Sequence, residues 1–314
     1  MRISRRAAVD IGILVLVNGM WAAQYAAYKV ATEKMGPVTV SAWTFAMASL
    51  ALLPFLLNER RSDPSASPAP RTRSGWTGQD ALGFVVIGVA GLIPASAVLA
   101  WGIDRSTASN AALIYLTVPI LTAVLASAIL GERMTLVRWA SLGVSLVGVL
   151  ILSDVNWRHL ELADSKFLFG NVLVLVACAC SAFYNVYCKG LLRRFTPLEV
   201  LVFGYLIALA VSLPLLVWVE PLSREAVGAY GLRVWIALGV LSVFSWGLAM
   251  VLWMFVLKRL DVSQASVSIY LLPFLGVLIS ALTLHERITP AMIVGGLITL
   301  AGTILITSLE PTSG

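Results

Sequence analysis

The chain has 314 residues, 59% of them hydrophobic and 12% charged, with a mean hydropathy of +0.91. A soluble globular chain is about 45–50% apolar and about 25% charged, so there is too little charge here to coat a water-exposed domain. The net charge of +6 comes from Lys and Arg in short clusters between apolar runs rather than along one helix face. That pattern argues against a nucleic-acid partner and reads as a membrane topology signal. The composition predicts an all-α integral membrane protein whose bulk partner is the lipid bilayer.

In chain order, ten runs approach the length of about 20 apolar residues that crosses a hydrocarbon core. They are 9–31, 37–57, 80–103, 107–130, 135–153, 167–189, 197–219, 231–257, 262–284 and 290–308. The first run follows the basic segment Met1–Arg6. It is too long for a signal-peptide core and lacks an A-x-A cleavage site, so it reads as a retained span. Between the second and third runs, Ser, Pro, Ala and Arg dominate the segment 58–79, which is expected to be a disordered cytoplasmic loop. The other connections leave no room for a soluble domain. With the N-terminus placed inside, 14 Lys and Arg fall on the cytoplasmic side and 8 on the other. The bias predicts that both termini are cytoplasmic.

Self-comparison shows a repeat. A shift of 160 residues lays Lys29 on Lys189, Pro37 on Pro197 and Pro54 on Pro214. A shift of 154 lays Arg105 on Arg259, Pro119 on Pro273, Glu132 and Arg133 on Glu286 and Arg287, Thr135 on Thr289 and Gly148 on Gly302. The halves are therefore read as 9–153 and 167–308, each of five spans. Five is odd, so the second half crosses upside down relative to the first, and ten helices form two inverted five-helix repeats. Such repeats are a transporter architecture with a substrate site at the midplane between them.

The ends of the halves carry a resemblance. Ile129 to Thr135 (Ile-Leu-Gly-Glu-Arg-Met-Thr) with Gly143 and Gly148, and Leu284 to Pro290 (Leu-His-Glu-Arg-Ile-Thr-Pro) with Gly295, Gly296 and Gly302, resemble paired EamA domains of the drug/metabolite transporter superfamily. Asn18-Gly-Met-Trp21, Lys29 and Pro37 resemble the start of such a domain. The resemblance spans nearly the whole chain. It implies a solute carrier, often an exporter of amino acids or other small metabolites. The second copy departs from it by having His285 before Glu286.

Polar residues inside a span face the bundle interior or a wet cavity. Asn18, Trp21, Tyr25 and Tyr28 share one helical face, and the 160-residue shift maps them onto Cys178, Ser181, Asn185 and Cys188. These two faces either oppose each other across a central cavity or act as packing glue between helices. Trp101, Trp246 and Trp253 are candidates for stacking on a substrate, against a role as interfacial anchors. Tyr115 and Tyr270 precede the matched prolines Pro119 and Pro273, whose missing backbone bonds kink their helices as hinges or as fixed curvature. Asn110 and Gln264, at matching starts of two spans, either line a pathway mouth or cap their helices.

Glu132–Arg133 and Glu286–Arg287 lie at span ends beside Thr135 and Thr289, and read as turn and capping residues rather than proton sites. The three cysteines show no disulfide or zinc spacing, and no metal or other cofactor is expected. No acidic residue lies deep in a span, which favours facilitated movement of a neutral or zwitterionic small molecule. Proton-coupled efflux of hydrophobic drugs or cations is the alternative. H-E-x-x-H and G-x-S-x-G are both absent, so catalysis is not expected, and the duplicated unit makes a purely regulatory subunit unnecessary. Short loops without an N-x-[ST] acceptor suit a bacterial inner membrane. Composition says nothing of oligomeric state.

Overall fold

The computed structural model describes residues 5–62, 77–106, 108–152, 165–220, 227–284 and 289–309, and among them every regular element is a helix. Helices satisfy their own backbone donors and acceptors, as a chain in hydrocarbon requires. In chain order they are α1 (Arg5–Thr32), α2 (Pro37–Ser62), α3 (78–104), α4 (108–130), α5 (Leu136–Leu152), α6 (Ser165–Leu191), α7 (Pro197–Val219), α8 (231–259), α9 (262–284) and α10 (Pro290–Leu309). Eight of them are long and apolar enough to cross a membrane, whereas α5 and α9 contribute shorter apolar helices. Together with the composition, this makes the chain an integral membrane protein. Residues 58–62, expected in the long loop, instead extend α2, with Arg60 and Arg61 in its last turn. Basic side chains there complement the negative end of the helix dipole. Residues 63–76 of that expected loop lie outside the described residues.

Local sequence sets several helix ends. Thr77 and Asp80 form a reciprocal capping box at the start of α3, as do Thr196 and Glu199 at the start of α7, where Pro197 takes the first helical position. Gly131 closes α4 at φ 72°, a left-handed conformation that glycine adopts without steric penalty. The chain then turns at once into Glu132 and the Thr135 cap of α5, whose hydroxyl accepts from Arg138 N at 3.2 Å.

Matched helices of the two halves pack antiparallel. Helix α5 lies on α10, with Gly148 beside Thr299 and Gly302 beside Ser145 and Ser141. Ser145 Oγ donates to Thr299 O at 3.3 Å, and Thr299 Oγ1 donates to Ser145 O at 3.4 Å. Small residues let two backbones approach this closely, as membrane helix pairs require. Helix α2 lies on α7. Glu59, near the end of α2, accepts from Thr196 Oγ1 at the start of α7. At the opposite ends, Glu220 just beyond α7 accepts from Val38 N, Thr39 N and Thr39 Oγ1 at the start of α2, at 3.2, 2.9 and 2.9 Å. Large apolar side chains such as Leu136, Leu297, Val217 and Trp218 point outward, where lipid rather than water is the natural solvent.

Four helices lose regular winding. Residues 87–92 and 94–98 of α3 are π-helical, and so are 240–249 of α8, at nearly the same place under the 154-residue shift. Helix α4 breaks at Leu116 and Thr117, just before Pro119, and α9 tightens to a 3-10 turn at Ser268–Tyr270, just before Pro273. Proline has no N–H and its ring clashes with the carbonyl four residues back, which accounts for both interruptions.

Candidate substrate pathway

Helices α1, α6, α8 and α9 bring the central polar and aromatic residues together. Asn18 is fully buried in α1; its Nδ2 donates to Leu14 O at 2.8 Å and to Ser268 Oγ in α9 at 3.1 Å. Its Oδ1 is buried with no protein partner among the described residues. One turn further, Trp21 meets Trp253 of α8 with ring centroids 5.2 Å apart and planes tilted by 57°. Trp253 in turn donates its Nε1 hydrogen to Asn185 Oδ1 of α6 at 3.0 Å. The two faces singled out in α1 and α6 are thus linked through Trp253, at the Trp21 and Asn185 positions. An indole is suited to this bridge because one edge is a donor and its faces are apolar.

A second aromatic group adjoins it. Phe45 of α2 stacks on Tyr205 of α7 at 5.6 Å and meets Trp246 of α8 edge-on at 5.5 Å. Tyr205 Oη donates to Trp246 O at 2.7 Å, inside the π-helical segment. Loosened winding of this kind is frequent at functional sites, and no feature of the apolar sequence betrayed it.

The remaining candidates are dispersed. Tyr28 packs in a separate apolar cluster with Trp43, Trp235 and Tyr230, and Trp101 packs with Val38, Ala97 and Leu216. Cys178 is buried with Sγ directed at Ile114 O, 3.8 Å away, and Cys188 is also buried. Ser181 is partly buried, and the side chain of Tyr25 lies outside the described residues. Tyr115 packs on the main core. Tyr270 is buried and donates to Leu116 O at 3.0 Å, so it spans the interrupted turns of α4 and α9. Gln264 forms a capping box with Asp261, and Asn110 is buried.

Glu132 does not turn toward Arg133, which is exposed. It caps the start of α9 in the other half, accepting from Val262 N at 2.7 Å, Ser263 N at 3.0 Å and Ser263 Oγ at 2.6 Å. Its ionic partner is Arg138, with Nη1 3.8 Å away, and Arg138 Nη2 donates to Asp261 Oδ2 at 2.5 Å. Carboxylates at a helix N-terminus satisfy its orphan donors and complement its dipole. Glu286 and Arg287 lie outside the described residues. Lys189 donates to Leu257 O and Leu260 O, at the carbonyl end of α8.

The model of the EamA-like transporter family matches the chain twice, over residues 10–154 and 168–308. The chain belongs to the EamA-like transporter family. The resemblance read from Gly131-Glu132 and its partner is thereby established, and this EamA chain is a transporter and not an enzyme. It is 28% identical over 296 residues to a probable terminal-alkyne amino-acid exporter of Streptantibioticus cattleyicolor, covering 93% of this chain and 91% of that one. It is 23% identical over 307 residues to the uncharacterized transporter YyaM of Bacillus subtilis, covering 94% and 95%. An uncharacterized transporter of Archaeoglobus fulgidus is 22% identical over 291 residues, covering 92% and 95%. A solved crystal structure shares the fold, with a TM-score of 0.76 at 16% identity over 96% of this chain and 99% of that one.

Proposed function

We propose that this transporter exports small neutral or zwitterionic metabolites, amino acids foremost, by facilitated alternating access between two inverted five-helix repeats. Both termini face the cytoplasm of a bacterial inner membrane in this reading. The observation that carries it is the meeting of each half with its own copy. Ser145 bonds reciprocally with Thr299, Tyr270 bonds Leu116, and Phe45 stacks on Tyr205. Each partner is the other's equivalent under the 154- or 160-residue shift. A residue lies against its own copy only near a two-fold axis, and the antiparallel pairing of α2 with α7 and of α5 with α10 turns that axis into the membrane plane. Two halves related in this way can exchange conformations, so that a site between them opens to one side and then the other.

The substrate site is placed beside Asn18, Trp21, Asn185 and Trp253, with Ser181 and Trp246 flanking it. Asn18 Oδ1 supplies a neutral acceptor and the indoles supply apolar faces, a set that suits an amine-bearing or amphipathic solute better than a strongly charged one. Pro119 and Pro273 are the hinges of this scheme, at the two places where α4 and α9 lose helical winding. The amino-acid exporter among the relatives agrees with the substrate class.

The test is flux in proteoliposomes of labelled aromatic, aliphatic and polar amino acids, a nucleoside and a lipophilic cation, with and without an imposed pH gradient. Saturable amino-acid flux indifferent to the gradient is expected. Accumulation of the lipophilic cation driven by the gradient would replace this reading with proton-coupled efflux.

A further inference from the structure

We infer that Glu132, Arg138, Asp261 and Ser263 form an ionic latch that holds the bundle closed at the end where α1 begins, making that closure the resting state of the transporter. The inference rests on the alternating-access reading and adds to it a preferred state and the residues that set it.

The latch is buried and crosses between the halves. The Glu132, Arg138 and Asp261 side chains are 6%, 2% and 7% exposed. Arg138 Nη2 donates to Asp261 Oδ2 at 2.5 Å and Nη1 to Ser263 Oγ at 3.0 Å, while that hydroxyl donates to Glu132 at 2.6 Å. Glu132 and Arg138 belong to the first half, whereas Asp261 and Ser263 belong to the second. Opening this end by separating the halves would part a guanidinium from the two carboxylates packed against it away from solvent. Breaking a buried pair is far more costly than breaking an exposed one.

Three further inter-half pairs lie at the same end: Arg60 with Glu199 at 2.9 Å, Arg194 with Asp80 at 2.6 Å and Arg259 with Asp10 at 2.7 Å. In each the guanidinium is about half exposed. At the opposite end, among the described residues, Arg233 and Glu33 approach only to 3.8 Å and are both well exposed.

The repeat makes the asymmetry specific. Under the 154-residue shift, Glu132 and Ser263 have like partners in Glu286 and Ser109. Arg138 falls on Met292, and Asp261 falls on Thr107. A glutamate therefore recurs at the position of Glu132, whereas methionine and threonine stand at the positions of Arg138 and Asp261, so the matched positions cannot form this ion pair. A twofold scheme with identical latches would leave the two closed states nearly balanced. A buried ion pair at this end, which the matched positions of the repeat cannot form, tilts the balance toward closure here, because a tilt follows directly from such a differential interaction.

The test compares the two ends without needing a substrate. In full-length protein with Cys178, Cys180 and Cys188 replaced by alanine, spin labels are placed at Arg133→Cys and Lys258→Cys, or at Lys34→Cys and Leu232→Cys for the opposite end. Distances are read by pulsed electron resonance in lipid nanodiscs. Arg138→Met, which gives the latch the residue of its repeat partner, is expected to shift the open-to-closed ratio at the 133–258 end by on the order of a hundredfold. Asp261→Asn keeps the side-chain shape and is expected to shift it the same way by a smaller factor; it is the deciding variant if Arg138→Met does not fold. An unchanged 133–258 distribution in folded protein overturns the latch. Opening at 133–258 with shortening at 34–232 is the alternating-access response. Opening without shortening leaves the latch standing and counts against the alternating-access reading.

Discussion

Adding one methyl group at Gly148 tests how closely α5 and α10 approach. An ideal Cβ there would lie 2.5 Å from Thr299 Oγ1, 2.6 Å from Thr299 N and 2.7 Å from Gly295 O. Two of these three atoms are backbone, so no rotamer change relieves the clash and the helices must separate by about 1 Å, a distortion of the kind that costs about 1–3 kcal/mol when a packed interior is overfilled. The separation would also lengthen the reciprocal Ser145–Thr299 bonds, which are already long at 3.3 and 3.4 Å. Gly143 in the same helix is an internal control, because a Cβ there meets nothing within 4 Å. Gly143→Ala should be neutral or stabilising by up to about 1 kcal/mol through helix propensity. The assay is thermal unfolding of detergent-solubilised protein followed by size-exclusion chromatography of heated samples. Gly148→Ala should lose monodisperse protein several degrees below Gly143→Ala. Equal midpoints for the two variants would refute the close antiparallel contact.

Other outcomes follow from the same contacts. Trp253→Phe removes the donor to Asn185 and leaves a buried acceptor unpaired, so it should destabilise by about 1–3 kcal/mol and raise KM for the transported amino acid; Asn185→Leu on the Trp253→Phe background should recover part of the stability but not the KM. Glu220→Ala uncaps α2 and should cost about 0.5–2 kcal/mol in the same thermal assay, whereas Glu33→Ala, whose Arg233 partner is exposed, should cost about 0–1 kcal/mol. Asn18→Leu should change the ranking of substrates in competition assays, and an unchanged ranking would remove Asn18 from the site.

The helices were largely legible because hydrocarbon imposes one rule along the whole chain, and the helix ends lie within five residues of the apolar runs. Where the reading erred, at residues 58–62, it took polarity for disorder; Glu59 and Arg60 extend α2 because they find Thr196 and Glu199 in the other half. The two family matches, over residues 10–154 and 168–308, fall where Pro, Glu-Arg and Gly positions recur, residues that carry backbone and turn requirements and so stand out against Ala and Leu. The candidate site was legible only in part. Asn18 and Asn185 stand out as polar residues in apolar runs, but the bridge between Trp21 and Asn185 depends on the rotational setting of α8, which its nearly uniform apolar sequence and π-helical winding conceal. Glu132 was recognisable as a capping residue, yet the helix it caps is 130 residues away in sequence. Arg138 read as one more topological charge near a span end. Its burial against Asp261 depends on tertiary packing that spacing along the chain does not encode.

The most direct measurement of the central claim is counterflow. Proteoliposomes loaded with an excess of an unlabelled amino acid are diluted into a trace of the labelled one, without any pH or ion gradient. In a carrier whose single site alternates between two states, the loaded amino acid competes with the label for the outward step, so the label should accumulate transiently inside above its external concentration and then decay. Uptake that only approaches the external concentration, unaffected by the loaded amino acid, across a panel that the protein demonstrably transports, would contradict alternating access and point to a passive pore.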